Sequence, residues 1–242
     1  MNFLKQNIPN AITCLNLLFG CIAIIYAFQS KSPHGDLGAL TAASWFIFAA
    51  AIADFFDGMA ARALKVHSDI GKELDSLADV VSFGVAPGMI LFQLINNPPY
   101  SWIALMIPVF AAIRLAKFNI DTRQTTYFIG LPTPANGLFI ASFPLIIITD
   151  NSWNTFYYSQ ARWATLFFVV IAILCSVLMV SGIRLLSLKM KNTSWSDNKA
   201  RYILCIVSLL AFFFLWYAAI PLILLFYILL SSFYKKSIIT NY

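Results

Sequence analysis

Residues 54–79, DFFDGMAARALKVHSDIGKELDSLAD, carry six of the ten acidic residues of this chain. The six are Asp54, Asp57, Asp69, Glu73, Asp75 and Asp79. The flanking segments are strongly apolar, and one aspartate at the centre of a bilayer costs about 2.5–3.5 kcal/mol on insertion scales. Because the chain avoids charge almost everywhere else, the carboxylates gathered here indicate a chemical role.

The composition is that of a polytopic membrane protein. Of the 242 residues, 60% are hydrophobic and 11% are charged, whereas a soluble domain carries about 25% charged residues. Many apolar runs approach the roughly 20 residues that cross a bilayer, which argues against a soluble helical protein. The first run lacks a small-residue cleavage site and is predicted to be the first span. The four cysteines lie in apolar segments without metal-ligand spacing, which favours buried free thiols.

The apolar runs and the turn residues between them predict an all-α integral membrane protein with about eight transmembrane helices. The predicted helices are 8–29, 37–64, 71–97, 101–119, 134–149, 161–183, 199–217 and 219–234. Pro221 separates the last two, which could instead form one long kinked helix. We expect one membrane-embedded domain over residues 1–242.

The distribution of basic residues orients this array. With a cytoplasmic N-terminus, 14 of the 16 basic residues fall at cytoplasmic helix ends and loops, and only Lys31 and Arg162 lie outside. This bias follows the positive-inside rule with both termini in the cytoplasm. The net charge of +6 therefore follows from topology and does not indicate a nucleic-acid partner.

The carboxylates are predicted to converge at the cytoplasmic boundary of the membrane. Asp54 and Asp57 are three residues apart near the end of the second helix, and Asp75 and Asp79 are four apart near the start of the third. Both spacings place each pair on one helical face. Since a short loop joins the two helices, they are antiparallel neighbours and the four side chains can meet.

Such a cluster is unfavourable unless cations neutralise it. All-oxygen ligation favours Mg²⁺ or Mn²⁺, with Ca²⁺ as a third candidate, rather than Zn²⁺, and two bridged ions form a clamp for phosphoryl transfer. One alternative is a solvated loop in which the acids pair with Arg62, Lys65 and Lys72. Another is a divalent-cation transporter, which would place acids near mid-membrane and often show repeats.

The neighbouring residues favour a phosphate ligand. Gly58 and Ala61 leave little side-chain bulk, so a ligand can approach the backbone. Arg62 can donate two hydrogen bonds to phosphate oxygens. Gly71 lies at the start of the third helix, whose N-terminus favours anions. His67, in the loop between the helices, has no identifiable partner and is predicted to be an ordinary loop residue.

The spacing of these residues resembles a family signature. Asp54-x-x-Asp57-Gly58-x-x-Ala61-Arg62, eight residues, Gly71, three residues, Asp75, three residues and Asp79 resembles the motif of the CDP-alcohol phosphatidyltransferases. Four further segments resemble the phosphatidylserine synthase branch of that family: IPNAITCLNLLFG (8–20), SFGVAPG (82–88), RLAKFN (114–119) and GLPTPA (130–135). The resemblance covers a core of about 8–190 and leaves the two C-terminal helices, about 199–234, outside it.

The resemblance implies a reaction in which CDP-diacylglycerol and L-serine give phosphatidylserine and CMP. Alternative acceptors are glycerol 3-phosphate and inositol phosphate. The motif positions of the metal ligands are Asp54, Asp57, Asp75 and Asp79, and Asp79 also matches the general base. The positions implied to contact CDP-diacylglycerol are Asn10, Thr13, Gly58, Ala61, Arg62, Ser68 and Gly71. With the charge distribution, the resemblance implies a cell (inner) membrane location with a cytoplasmic active site. Family members are often homodimers, although nothing in this sequence marks an interface.

The carboxylate of serine requires a cation or hydrogen-bond donors. The candidates are Arg114, Lys117, Asn119 and Arg184, each of which could instead be a positive-inside anchor or a helix-end residue. Arg114 and Asn119 are five apart and diverge on a straight helix. We therefore predict that the helix ends near Lys117 or Phe118 and that residues 119–133 cover the serine pocket.

Overall fold

The structure is a computed structural model, which describes residues 2–30, 36–66, 68–120, 127–186 and 194–239. Its α-helices are α1 (Asn2–Gln29), α2 (Leu37–Leu64), α3 (Asp69–Asp79), α4 (Ala86–Ile95), α5 (Met106–Ile120), α6 (Thr133–Thr149), α7 (Asn151–Ser159), α8 (Ala161–Val180), α9 (Trp195–Leu215) and α10 (Ala219–Ile239). A π-helical segment, Val80–Val85, joins α3 to α4. Two 3₁₀ segments, Tyr100–Leu105 and Trp216–Ala218, precede α5 and α10.

The prediction of an all-α membrane protein is confirmed, and each of the eight predicted segments is helical. Among the described residues, six helical runs are long and apolar enough to cross a membrane, and the bent pair α6–α7 makes a seventh. One of the six, Asn198–Ser232, contains both α9 and α10. The break between those helices falls at Trp216–Ala218, ahead of Pro221. The chain is thus a multi-pass membrane protein.

Residues 150–160, which the sequence predicts to be a loop, contain α7. Asp150 caps this helix by accepting hydrogen bonds from the Ser152 and Trp153 backbone amides at 2.8 and 3.2 Å. The axis turns by 97° between α6 and α7. Because α7 has only nine residues and a mixed polar face, it gives no span-like signal in the sequence.

The predicted sixth helix, 161–183, ends earlier than expected because the chain then forms a strand. Strand β2 (Arg184–Leu186) pairs antiparallel with β1 (Tyr127–Ile129), with Arg184 opposite Ile129. Helix α10 covers this ribbon: the Tyr227 hydroxyl donates to the Leu186 carbonyl at 2.8 Å, and the Leu186 amide donates to Ser231 Oγ at 3.1 Å. The C-terminal helix is therefore tied to the β1–β2 ribbon of the core.

The run Asp69–Ile95 is the most enclosed of the membrane-length helices. Helix α1 packs against both α2 and this run, and α6 packs against it as well. Small residues permit the close approach: a Cβ at Gly20 would collide with Ser82, and one at Gly137 would lie 3.0 Å from Phe83 Cα. Such contacts are typical of helix packing in membranes. They fix the segment that follows α3 against α1 and α6.

The orientation can be tested by labelling single cysteines. The four native cysteines are free, with Cys175 buried and the other three exposed, so a cysteine-less background is needed. We expect Ser194→Cys to react with an impermeant reagent only after the cytoplasmic face is opened. Ser159→Cys, exposed after α7, should react in intact cells. The converse pattern would contradict the assigned topology.

Candidate active site

A tight connection brings the end of α2 beside the start of α3. Lys65 adopts a left-handed conformation (φ 54°) and its amide bonds back to the last turn of α2. Ser68 then caps α3 by accepting a hydrogen bond from the Gly71 amide at 2.9 Å. Ser68 is thus a helix cap in this structure. His67, between these two residues, lies outside the described part of the chain.

Three carboxylates meet at this junction. Oxygens of Asp54, Asp57 and Asp75 all lie within 4.8 Å of one another. Asp54 and Asp75 are close enough for their carboxyl groups to share a hydrogen bond. Asp79, one turn beyond Asp75, interacts electrostatically with both Asp54 and Asp75. The structure therefore brings three of the four predicted carboxylates together and places Asp79 one turn further along α3, within electrostatic reach of the group.

The donor set fits a hard divalent cation. Asp57 and Asp79 are only 6% and 7% exposed, so water screens their charges poorly. Negative groups this close together repel unless a proton or a cation lies between them. Three carboxylates that each offer an oxygen to one point are the ligands that Mg²⁺, Mn²⁺ and Ca²⁺ prefer. The cluster can therefore hold a metal ion.

Helix α1 holds two of the aspartates. Thr13, 3% exposed, places its hydroxyl 2.7 Å from Asp57 Oδ2 and 3.0 Å from the Pro9 carbonyl. Asn16 Nδ2 lies 3.5 Å from Asp79 Oδ1. Sequence reasoning missed Asn16. The available signal was an amide within an apolar helix, three residues after Thr13 and so on the same face.

Next to the cluster lies an open cleft of about 520 Å³. Six of the seven residues implied to contact the donor line it: Asn10, Thr13, Gly58, Ala61, Ser68 and Gly71. The remaining one, Arg62, folds back over Gly58, where an added Cβ would lie 3.5 Å from Arg62 Nη1. A Cβ at Gly71 would lie 2.8 Å from Ser68 Oγ and 2.9 Å from Asn10 Oδ1. The cleft thus joins α1, α2 and α3 around one space.

Arg114 is buried beside Asp79. It is 7% exposed, and its Nη1 donates to Thr133 Oγ1 at 2.8 Å. Its guanidinium lies 5.4 Å from the centre of the Phe118 ring and attracts the Asp79 carboxylate. Thr133 belongs to the GLPTPA segment, which therefore meets α5 next to the carboxylates.

The predicted helix end, which would let Arg114 and Asn119 share one pocket, is wrong. Helix α5 continues to Ile120 instead of ending near Lys117 or Phe118, so the two side chains diverge. Asn119 Nδ2 donates to Ser76 Oγ at 2.9 Å, and the Asn119 carbonyl accepts from Lys72 Nζ at 3.0 Å. These contacts with α3 stabilise the last turn of α5.

The remaining candidates for serine recognition lie on the surface. Lys117 is exposed in the last turn of α5, and Arg184 is exposed on β2. Part of the segment predicted to cover the serine pocket, residues 121–126, is outside the described residues.

The membrane-spanning bundle and its aspartate cluster are features of a class of membrane enzymes that act on lipids. The sequence model described as CDP-alcohol phosphatidyltransferase matches residues 6–171, and the chain belongs to that family. This confirms the resemblance carried by residues 54–79.

Three relatives of this chain share one enzyme name within that family. A CDP-diacylglycerol–serine O-phosphatidyltransferase of Mycobacterium tuberculosis is 32% identical over 216 residues, which is 85% of this chain and 69% of the relative. The protein of that name from Helicobacter pylori is 34% identical over 184 residues, 73% of this chain and 70% of the relative. The one from Bacillus subtilis is 43% identical over 134 residues, 54% of this chain and 71% of the relative.

Proposed function

We propose that this protein transfers the phosphatidyl group of CDP-diacylglycerol to L-serine and releases CMP. The observation that carries the proposal is the carboxylate cluster of Asp54, Asp57 and Asp75 beside a cleft at the helix boundary. The relatives named as serine phosphatidyltransferases favour serine over the phosphate-bearing acceptors, glycerol 3-phosphate and inositol phosphate. A cation transporter is not favoured, because the carboxylates cluster at one end of the bundle.

In this proposal Asp54, Asp57, Asp75 and Asp79 hold two divalent cations, Mg²⁺ or Mn²⁺, with Ca²⁺ as a third candidate. When bound, the cations neutralise the pyrophosphate and stabilise the departing CMP. The protein's own contribution is to keep the carboxylates converged. Thr13 fixes Asp57 through its 2.7 Å hydrogen bond, and Asn16 fixes Asp79 from the same face of α1.

The donor headgroup occupies the cleft lined by Asn10, Thr13, Gly58, Ala61, Ser68 and Gly71. Gly58 and Gly71 allow the headgroup to approach the backbone, and the N-terminus of α3 favours its phosphates. Arg62 reaches the phosphate oxygens from above Gly58. The small and polar side chains of this cleft thus orient the donor without competing with it for space.

The acyl chains of the donor have an apolar path away from that cleft. A groove of about 640 Å³ lies between α1 and α2. Several of the residues that line this groove are sequence neighbours of residues that line the cleft. Ile12 adjoins Thr13, and Phe56 adjoins Asp57. A lipid can therefore place its headgroup on the carboxylate side and its tails on the lipid side of the same two helices.

Asp79 is the general base of the proposed reaction. The serine hydroxyl gives its proton to the Asp79 carboxylate and attacks the phosphorus that carries diacylglycerol. A new phosphorus–oxygen bond forms to serine, and the bond to the CMP oxygen breaks. Asn16 and Arg114 orient Asp79, and positioning together with charge neutralisation supplies most of the rate.

Arg114 is the favoured partner of the serine carboxylate, because it is buried and adjacent to Asp79. We expect Arg114→Ala to raise the KM for serine by about 10- to 100-fold, as for a lost charge-assisted hydrogen bond. The KM for CDP-diacylglycerol should change little. Arg162→Ala, at the opposite end of the bundle, is the control. If both KM values rise together, Arg114 binds the donor, and Arg184, Lys117 or Asn119 becomes the candidate for serine.

We further propose that residues 1–242 form a single catalytic domain in the cell (inner) membrane, with both termini and the active site cytoplasmic. A homodimer is proposed from the family resemblance alone.

The function is tested with purified protein in detergent micelles that contain CDP-diacylglycerol. CMP release is followed with L-serine, with glycerol 3-phosphate and with no acceptor. We expect release to depend on serine. Release that depends on glycerol 3-phosphate but not on serine would contradict the proposed function.

A further inference from the structure

Most of the unpartnered buried polar atoms in the described part of the chain lie on helices that pack against the segment around Asp79. Among the described residues, five buried side-chain polar atoms have no hydrogen-bond partner, and four belong to three residues: Asn16 Oδ1, Arg114 Nε, and Nδ2 and Oδ1 of Asn136. The fifth is Thr41 Oγ1, near the start of α2. Buried polar atoms nearly always find a partner in protein, water or ligand. Four such atoms in one region therefore call for a ligand or ordered water.

The three residues lie on three different helices, α1, α5 and α6, and each of these helices packs against the π-helical segment that follows Asp79. Asn16 on α1 lies within 3.5 Å of the Asp79 carboxylate. Arg114 on α5 attracts that carboxylate and donates to Thr133 at the start of α6. Asn136 is one turn beyond Thr133 on the same face of α6.

Helix α6 is also fixed against the segment that follows Asp79. Gly137, next to Asn136, abuts Phe83, which is one turn beyond Asp79. Asn136 is fully buried, so its amide faces the protein interior and not the lipid. Neither polar atom of that amide contributes to the fold through a hydrogen bond.

The unpartnered atoms match the needs of a free amino acid. Arg114 Nε and Asn136 Nδ2 are donors, which a carboxylate requires, and Asn16 Oδ1 and Asn136 Oδ1 are acceptors, which an ammonium group requires. A sugar phosphate or glycerol phosphate has no ammonium group to satisfy those acceptors. This set of unpartnered donors and acceptors therefore suits a zwitterionic amino acid better than a phosphate-bearing alcohol.

We propose that Asn136, together with Arg114 and Asn16, recognises the ammonium and carboxylate groups of the acceptor amino acid and so determines acceptor specificity. This inference rests on the proposed function. Asn136 supplies a donor and an acceptor from a single buried amide on α6, one turn beyond the Thr133 hydroxyl that accepts from Arg114. A site built around hydrogen bonds rejects analogues that leave its groups unpaired.

The first test replaces the amide with an apolar group of similar size. We expect Asn136→Leu to raise the KM for serine by about 10- to 100-fold, while the KM for CDP-diacylglycerol stays within twofold. The matched control is Asn154→Leu on α7, where the amide donates to the Ile147 carbonyl at 3.2 Å, far from the carboxylates. An unchanged KM for serine overturns the proposal. A parallel rise in both KM values with a lower melting temperature means that Asn136 is structural and also overturns it.

The second test separates the two halves of the zwitterion. Ethanolamine lacks the carboxylate and 3-hydroxypropionate lacks the ammonium group, and both are measured as inhibitors of serine transfer. Asn136→Asp keeps the hydrogen-bond acceptor and repels a carboxylate. It should therefore lower the inhibition constant of ethanolamine relative to that of 3-hydroxypropionate by about tenfold or more. An unchanged ratio contradicts the proposal. If the wild type transfers nothing to serine, the proposed function itself has failed, which is a different result from an unaltered variant.

Discussion

Replacing Asp79 with asparagine is expected to lower kcat by about 10²- to 10⁴-fold, the usual contribution of a positioned general base. Asparagine keeps the shape and can still accept the hydrogen bond from Asn16 Nδ2. It loses the negative charge and most of the basicity, so the serine hydroxyl has no group to receive its proton. The protein should remain folded, because the surrounding helix contacts do not change.

Glu73→Gln is the matched control for this variant. It makes the same carboxyl-to-amide change on α3, at an exposed position, and should retain wild-type turnover. Melting temperature and binding of CDP-diacylglycerol are measured for both variants to separate catalysis from folding. An Asp79→Asn enzyme within tenfold of the wild type, a barrier change of less than about 1.4 kcal/mol, would refute the general-base role.

Removal of divalent cations is expected to abolish turnover. Asp54, Asp57 and Asp75 lie within 4.8 Å of one another, and without a cation this cluster repels the pyrophosphate of the donor. Excess EDTA should therefore stop CMP release, and Mg²⁺ or Mn²⁺ added beyond the chelator should restore it. Zn²⁺ should restore it poorly, because the donor atoms are all carboxylate oxygens.

A sample with EDTA already saturated by Mg²⁺ controls for effects of the chelator itself. Thermal unfolding is followed in parallel, because the apolar packing of the bundle does not involve the carboxylates and should survive chelation. Full turnover in excess chelator would contradict the metal assignment for all four aspartates.

The sequence was sufficient to predict the carboxylate junction. Asp54 and Asp57 are three residues apart, and Asp75 and Asp79 are four apart, so each pair lies on one helical face. Because only a short loop at 65–68 joins the two helices, they must be antiparallel neighbours. The family signature then identified the cleft residues that periodicity alone does not distinguish.

Contacts between distant segments could not be predicted in the same way. Asn16 meets Asp79 across 63 residues, and Arg114 meets Thr133 across 19. The course of α5 through Asn119 depends on contacts with Lys72 and Ser76 of α3, so an argument based on α5 alone placed the end of this helix too early.

The irregular segments were missed for a related reason. The π-helical segment Val80–Val85 and the ribbon β1–β2 have no periodicity that distinguishes them in an apolar chain. π-Helical turns often occur at functional sites, and this one follows Asp79 directly. Packing of α1, α5 and α6 around it, rather than its own sequence, defines its surroundings.

Competition between acceptors is the most direct test of the central claim that serine receives the phosphatidyl group. Isotopically labelled L-serine and unlabelled glycerol 3-phosphate are supplied together at equal concentration with CDP-diacylglycerol and Mg²⁺. The lipid products are then distinguished by mass. We expect labelled phosphatidylserine in amounts equal to the CMP released, with little phosphatidylglycerol phosphate. A product dominated by phosphatidylglycerol phosphate, or CMP release without labelled lipid, would contradict it.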